Sequence, residues 1–187
     1  MRFTLLPLIL TAVLPGVLSA VVPTTIPLDI CHSPTVVSEK FAGENQDVKV
    51  QVVQCDNPIV ARDNSELTKR QANVCGATCN TNCFTPSGGG PDPNECHIIA
   101  DALRYDSQDI SNTFDMVPAN STALVVMQYR SCSSFIVNQA GVPLRYCRDD
   151  WASVIDWVAP NCQATQNAHG GNCVAADQRW FIQVQHT

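Results

Sequence analysis

Ten cysteines in 187 residues constrain this chain more than any other feature. An even number of thiols at that density either closes disulfides in an oxidising compartment or holds metal in a reducing one. The N-terminal residues favour the first. Met1 and Arg2 make a short basic start, residues 3–18 are apolar but broken by Pro7, Pro15 and Gly16, and Leu18-Ser19-Ala20 supplies the small residues a signal peptidase needs. A membrane-spanning helix wants about 20 apolar residues without such breaks. We therefore expect a signal peptide over 1–20 cleaved after Ala20, a secreted extracellular product without a membrane span, and cysteines bonded to one another, with no metal and no cofactor.

A second processing signal follows. Residues 61–70 (ARDNSELTKR) are polar and charged and end on Lys69-Arg70, a pair of the kind kexin-type proteases cut in secretory pathways. All three lysines precede the cut and all three tryptophans follow it, which marks two physically different segments. Within 21–70 the alternation Val48-Lys49-Val50-Gln51-Val52 reads as a lone strand, and Cys31 and Cys55 can close a loop on each other. So short a segment, poor in large apolar side chains, buries little core. It is expected to be a propeptide or small appended segment ending at Arg70; if it is retained, Cys31 or Cys55 can bridge to the rest.

Residues 71–187 form the body, with Cys75, Cys79, Cys83, Cys96, Cys132, Cys147, Cys162 and Cys173. Cys75, Cys79 and Cys83 lie at i, i+4 and i+8, one face of a short helix or wound loop. Three neighbouring thiols cannot all pair together, so at least one reaches a distant partner. Cys162 and Cys173 flank a loop-rich interval with Gly170-Gly171 and are expected to pair locally, which contributes about 3 kcal/mol in the chain-entropy picture. The first helix opens with Asp92 as N-cap, Pro93 at the first position and Glu95 completing a capping box, and turns Cys96, Ile99 and Leu103 inward. Strands are expected around 114–117, 123–129, 133–138 and 142–146, the last at an edge because of Pro143. A second helix starts at Asp149-Asp150, carries the stripe Cys147, Trp151, Val154, Ile155 and Val158, and stops at Pro160. Residues 161–169 can form a third short helix capped by Gly170-Gly171, and 179–185 alternate as a closing strand with Trp180, Ile182 and Val184 on one face. The result is an α+β domain, an antiparallel or mixed sheet with helices against it, stapled by about four disulfides. Asn120-Ser121-Thr122 is a glycosylation sequon on a surface turn.

Charge narrows the partners. Eleven basic against 17 acidic residues give −6, so nucleic acid and anionic membranes are poor partners, while 45% hydrophobic and 15% charged residues argue against disorder. No Gly-x-Ser-x-Gly elbow, His-Glu-x-x-His motif, phosphate cradle or twelve-residue calcium loop is present. Asp149 and Asp150 are adjacent on a helix and point apart, unlike a pair that flanks one bond. His97 falls inside the first helix, whereas His169 lies in a loop that suits a functional group better. A non-enzymatic binding module fits best. Sugar recognition needs flat apolar rings and planar polar groups, and the candidates are Trp157, Tyr146, Arg148, Asp150, His169, Asn172, Asp177 and Arg179, with Tyr105, Asn138 and Gln139 in the same inventory. Trp157 lies off the core stripe and either widens the core or faces outward.

The stretches Asn94-Glu95-Cys96-His97-Ile98-Ile99, Arg130-Ser131-Cys132-Ser133-Ser134-Phe135, Cys147-Arg148-Asp149-Asp150-Trp151 and Gln178-Arg179-Trp180-Phe181-Ile182 resemble small secreted glycan-binding, lectin-like proteins of mushroom-forming fungi, over nearly all of 71–187. That resemblance implies an αβα sandwich that binds extracellular glycans or glycoproteins without catalysis. The same order of elements is similar to the fungal killer-toxin and necrosis-inducing effector superfamily, which implies a toxin or effector instead. A small secreted hydrolase using His169 is the third reading.

Overall fold

The computed structural model describes residues 30–56, 72–116, 123–140 and 142–187. Ala20, Lys69-Arg70 and Asn120 lie outside them. The elements run β1 (Thr35–Ala42), β2 (Val48–Gln54), β3 (Ala72–Asn73), β4 (Cys79–Cys83), α1 (Pro93–Asp109), β5 (Thr113–Met116), β6 (Ala123–Tyr129), β7 (Cys132–Asn138), β8 (Leu144–Cys147), α2 (Arg148–Asn161), β9 (Gly170–Ala175) and β10 (Trp180–His186). Seven strands form one sheet in the order β1-β2-β6-β7-β10-β9-β4, and every neighbouring pair in it is antiparallel. A small second sheet, β3-β8-β5, is mixed. The α+β expectation holds at this level.

Both helices pack on one face of the large sheet. In α1, Asp92 accepts from the Asn94 amide at 2.8 Å, and Cys96, Ile99, Ala100 and Leu103 are buried. Glu95 does not close the expected capping box. Its carboxylate instead accepts from the Ser131 amide (2.9 Å) and hydroxyl (2.5 Å), and Ser131 Oγ accepts from the Asp92 amide (3.1 Å). A serine from the β6–β7 turn thus joins cap and glutamate. In α2, Trp151, Ala152, Ile155, Val158 and Ala159 are buried, and Trp151 Nε1 donates to Ser134 Oγ at 2.9 Å. Pro160 does not end this helix, which continues to Asn161; proline's φ is helical, and in a last turn its missing N–H costs only one bond.

Cys31–Cys55 forms as expected, but the cysteine pairing of the body departs from the expectation. Cys162 and Cys173 do not bond each other: the pairs are Cys83–Cys162 and Cys79–Cys173, with Cys75–Cys147, Cys96–Cys132 and Cys31–Cys55. The cause is the segment around Cys79, which is a strand and not a helical turn. A spacing of four puts side chains on the same face in either conformation. As β4, it lays Cys79 and Cys83 beside β9 and the end of α2, with Thr81 opposite Cys173 and Cys83 opposite Gly171. Residues 161–169 likewise form only a single 3-10 turn, Ala164–Gln166, and Gly170-Gly171 begin β9 and cap no helix.

Residues 30–56 belong to the same sheet. β2 pairs β1 on one side and β6 on the other, so Val48–Gln54 is not a lone strand. Val48 and Val50 join the core beneath the helices. Val53, Cys31 and Cys55 join a second cluster on the opposite face, with Leu124, Val126, Phe135, Val137 and Phe181.

Candidate ligand-binding cleft

Strand alternation sorts the large sheet into two surfaces. Trp180, Ile182 and Val184 of β10 join the core beneath the helices, which leaves Phe181, Gln183 and Gln185 on the opposite face. Cross-strand pairing carries that face from strand to strand, because residues directly opposite in an antiparallel pair share a side. One row runs Gln51, Val126, Phe135, Gln183, Asn172, Asn82. The next runs Lys49, Gln128, Ser133, Gln185, Gly170. On the other side Val137 stands opposite Phe181 and Phe181 opposite Val174. The face therefore grades from apolar to carboxamide-rich across its width.

Over β9 and β10 this face forms a cleft of about 730 Å³, lined by Ile30, Phe84, Gly89, Gln139, His169, Asn172, Val174, Gln178, Phe181, Gln183, Gln185 and His186. No Asp, Glu, Lys or Arg is among them. The polar groups are held in place. Asn82 Nδ2 donates to Asn172 Oδ1 at 3.1 Å, and Gln183 Nε2 donates to Gln185 Oε1. His169 Nδ1 lies 2.6 Å from the Pro86 carbonyl and His186 Nδ1 2.7 Å from that of Thr187. A carbonyl only accepts, so both Nδ1 atoms carry hydrogen and each Nε2 is left to meet a ligand. Phe84 and Phe181 contribute flat apolar rings.

The residues nominated from sequence are scattered by the fold. His169, Asn172 and Gln139 enter the cleft. Asp177 and Arg179 form an ion pair (2.7 Å) in the turn between β9 and β10, flanking the cleft residue Gln178. Tyr146 is not available to a ligand: it is 1% exposed, packed against Trp180 with ring centres 4.7 Å apart. Burial raises its phenol pKa well above the ordinary value, with the Asp150 carboxylate adding to the shift. Asn138 is buried too, donating to the Met116 and Val142 carbonyls. Arg148 is committed to the Ser111 and Thr113 carbonyls and the face of Phe114, and Asp150 accepts from the Gly76 amide at 2.6 Å. Trp157 is 59% exposed, but on α2, on the far side of the sheet from the cleft.

Gln183, Gln185, Phe181 and Phe84 were missed. The alternation of 179–185 carries the signal for the first three, on the half opposite Trp180, Ile182 and Val184. Among the described residues, Cys75, Cys147 and Asp150 alone cluster like metal ligands, and the two sulfurs there are spent in a disulfide. No protein-family profile matches the chain, and no curated protein is significantly similar to it.

Proposed function

We propose that this protein is secreted and binds glycans without chemical turnover, in the cleft over β9 and β10. The observation that carries the reading is the cleft's lining. A carboxamide offers a donor and an acceptor in one plane, which suits a sugar hydroxyl that does both, and aromatic rings beside it suit the apolar face of a pyranose. Among the described residues the lining has no Asp, Glu, Lys or Arg, which suits an uncharged sugar. Five disulfides support an oxidising, extracellular setting, and no described helix is long and apolar enough to cross a membrane. Removal of 1–20 after Ala20, cleavage after Arg70 and a glycan on Asn120 complete the proposed maturation. The resemblance to secreted lectin-like proteins supports the same reading, but its αβα layering does not, since α1 and α2 pack on one face of the sheet and the cleft opens on the other.

A glycan array probed with the secreted protein tests this. Selective binding that Asn172→Ala and Gln185→Ala weaken supports it; the absence of selective binding overturns it. Growth inhibition of fungal or plant cells, insensitive to added sugar, would favour a toxin instead.

A second reading has one observation behind it: His169 and His186 line the same cleft. Two imidazoles can act as acid and base in a small hydrolase. Turnover of an oligosaccharide, lost in both His169→Ala and His186→Ala, would establish that activity.

A further inference from the structure

We infer that Ser133 and Gln128 form a second subsite continuing the cleft across β7 and β6, so that the ligand is a linear oligosaccharide lying across the strands. This rests on the glycan reading above and specifies its length and direction. The wall of the cleft ends at Gln185. The row does not: Ser133 stands directly opposite Gln185, and Gln128 directly opposite Ser133. Ser133 is 1% exposed and Gln128 9%, yet Ser133 Oγ and Gln128 Nε2 have no hydrogen-bond partner. Gln51 Oε1, in the adjoining row, is in the same state.

A buried polar atom left unpaired costs about 1–3 kcal/mol and calls for a specific cause. Four side-chain atoms are in this condition among the described residues, and three of them share the cleft face. The fourth, Trp180 Nε1, is on the helix side. Chance unsatisfied groups have no reason to fall in line on neighbouring strands. A ligand supplies the reason. Gln128 Nε2 can only donate, Gln51 Oε1 can only accept, and Ser133 Oγ does either; hydroxyl groups answer all three. Neighbouring strands are about 4.8 Å apart, a step comparable with one pyranose ring. Polar groups on β10, β7 and β6 therefore repeat at roughly the interval of a linear glycan crossing the sheet, and because Ser133 and Gln128 are covered, a ligand hydroxyl meets them only once the side chains over them move aside.

The test is the dependence of affinity on ligand length, measured by calorimetry with β-linked glucose and N-acetylglucosamine oligomers on wild type, Ser133→Ala and Gln128→Leu. Wild type is expected to bind a tetrasaccharide more tightly than the disaccharide. Each variant is expected to weaken the tetrasaccharide about three- to tenfold, the worth of one hydrogen bond, and to leave the disaccharide unchanged. Their thermal midpoints should not fall, because each substitution removes an unpaired buried group; a purely structural role would lower them. Equal affinity for the two lengths, or unaltered tetrasaccharide binding in both variants, overturns the subsite and leaves the cleft intact. Binding of neither length overturns the glycan reading and the subsite together.

Discussion

The sulfur of Cys162 occupies the space that a side chain on Gly171 would need. A Cβ built there would lie 2.8 Å from Cys162 Sγ and 2.6 Å from the Asn82 carbonyl oxygen. Backbone cannot yield as a flexible side chain can, so Gly171→Ala must push β9 away from β4 or strain the Cys83–Cys162 bridge. Overpacking of this kind costs about 1–3 kcal/mol. Urea denaturation should show a lowered midpoint with all five disulfides still formed.

Acid should weaken the fold through Glu95. The Ser131 hydroxyl and then its amide, with Arg130 adding to them, hold the Glu95 carboxyl below its ordinary value of 4.5. A depressed folded pKa means that the stabilisation is fully present above the ordinary value and is lost as pH falls through the folded one. Glu95→Gln should therefore flatten the acid limb of a stability–pH profile below about pH 4.5, and an unchanged limb would place the acid sensitivity elsewhere.

Ser134→Ala leaves the Trp151 indole N–H, donated to Ser134 Oγ at 2.9 Å, buried without an acceptor. The expected cost is about 1–3 kcal/mol. Chemical denaturation measures it, and the near-ultraviolet circular dichroism of the tryptophans should change with it.

Trp157→Ala separates an aromatic that is merely exposed from one that binds. Its ring is 59% exposed and stands across the sheet from the cleft. Glycan affinity should be unchanged by this substitution and reduced by Asn172→Ala; the reverse result would move the binding site onto α2.

Cleavage after Arg70 should yield two chains that stay together. Cys31–Cys55 closes within 30–56, and the other four bridges join residues between Cys75 and Cys173, so no disulfide links the two parts. What holds them is the β2–β6 pairing and the burial of Val48, Val50 and Val53. Size exclusion of the cut protein should show one species, and unreduced denaturing electrophoresis two.

Much of this architecture could be read from short-range pattern. The apolar stripe from Cys147 to Val158 and the cap at Asp92 announced α2 and α1, and the alternation around Val50 and Ile182 announced strands. Those signals are local: a period of 3.6 or 2 and a capping residue act over one or two turns, whatever the rest of the chain does. The oxidised state of the cysteines was equally plain from their number and the leader-like N-terminal residues.

Partners distant along the chain were not legible. The four-residue spacing of Cys75, Cys79 and Cys83 suits a helix and a strand alike, and only the antiparallel fit of β4 against β9 directs Cys79 to Cys173 and Cys83 to Cys162. Tyr146 has the composition of a sugar-stacking ring, yet β8 turns it into the core against Trp180. The row of Gln128, Ser133 and Gln185 draws on three strands, and its alignment depends on register, which no single stretch of sequence contains. Side-chain chemistry and local period belong to the chain itself; which polar groups meet on one surface follows from long-range pairing.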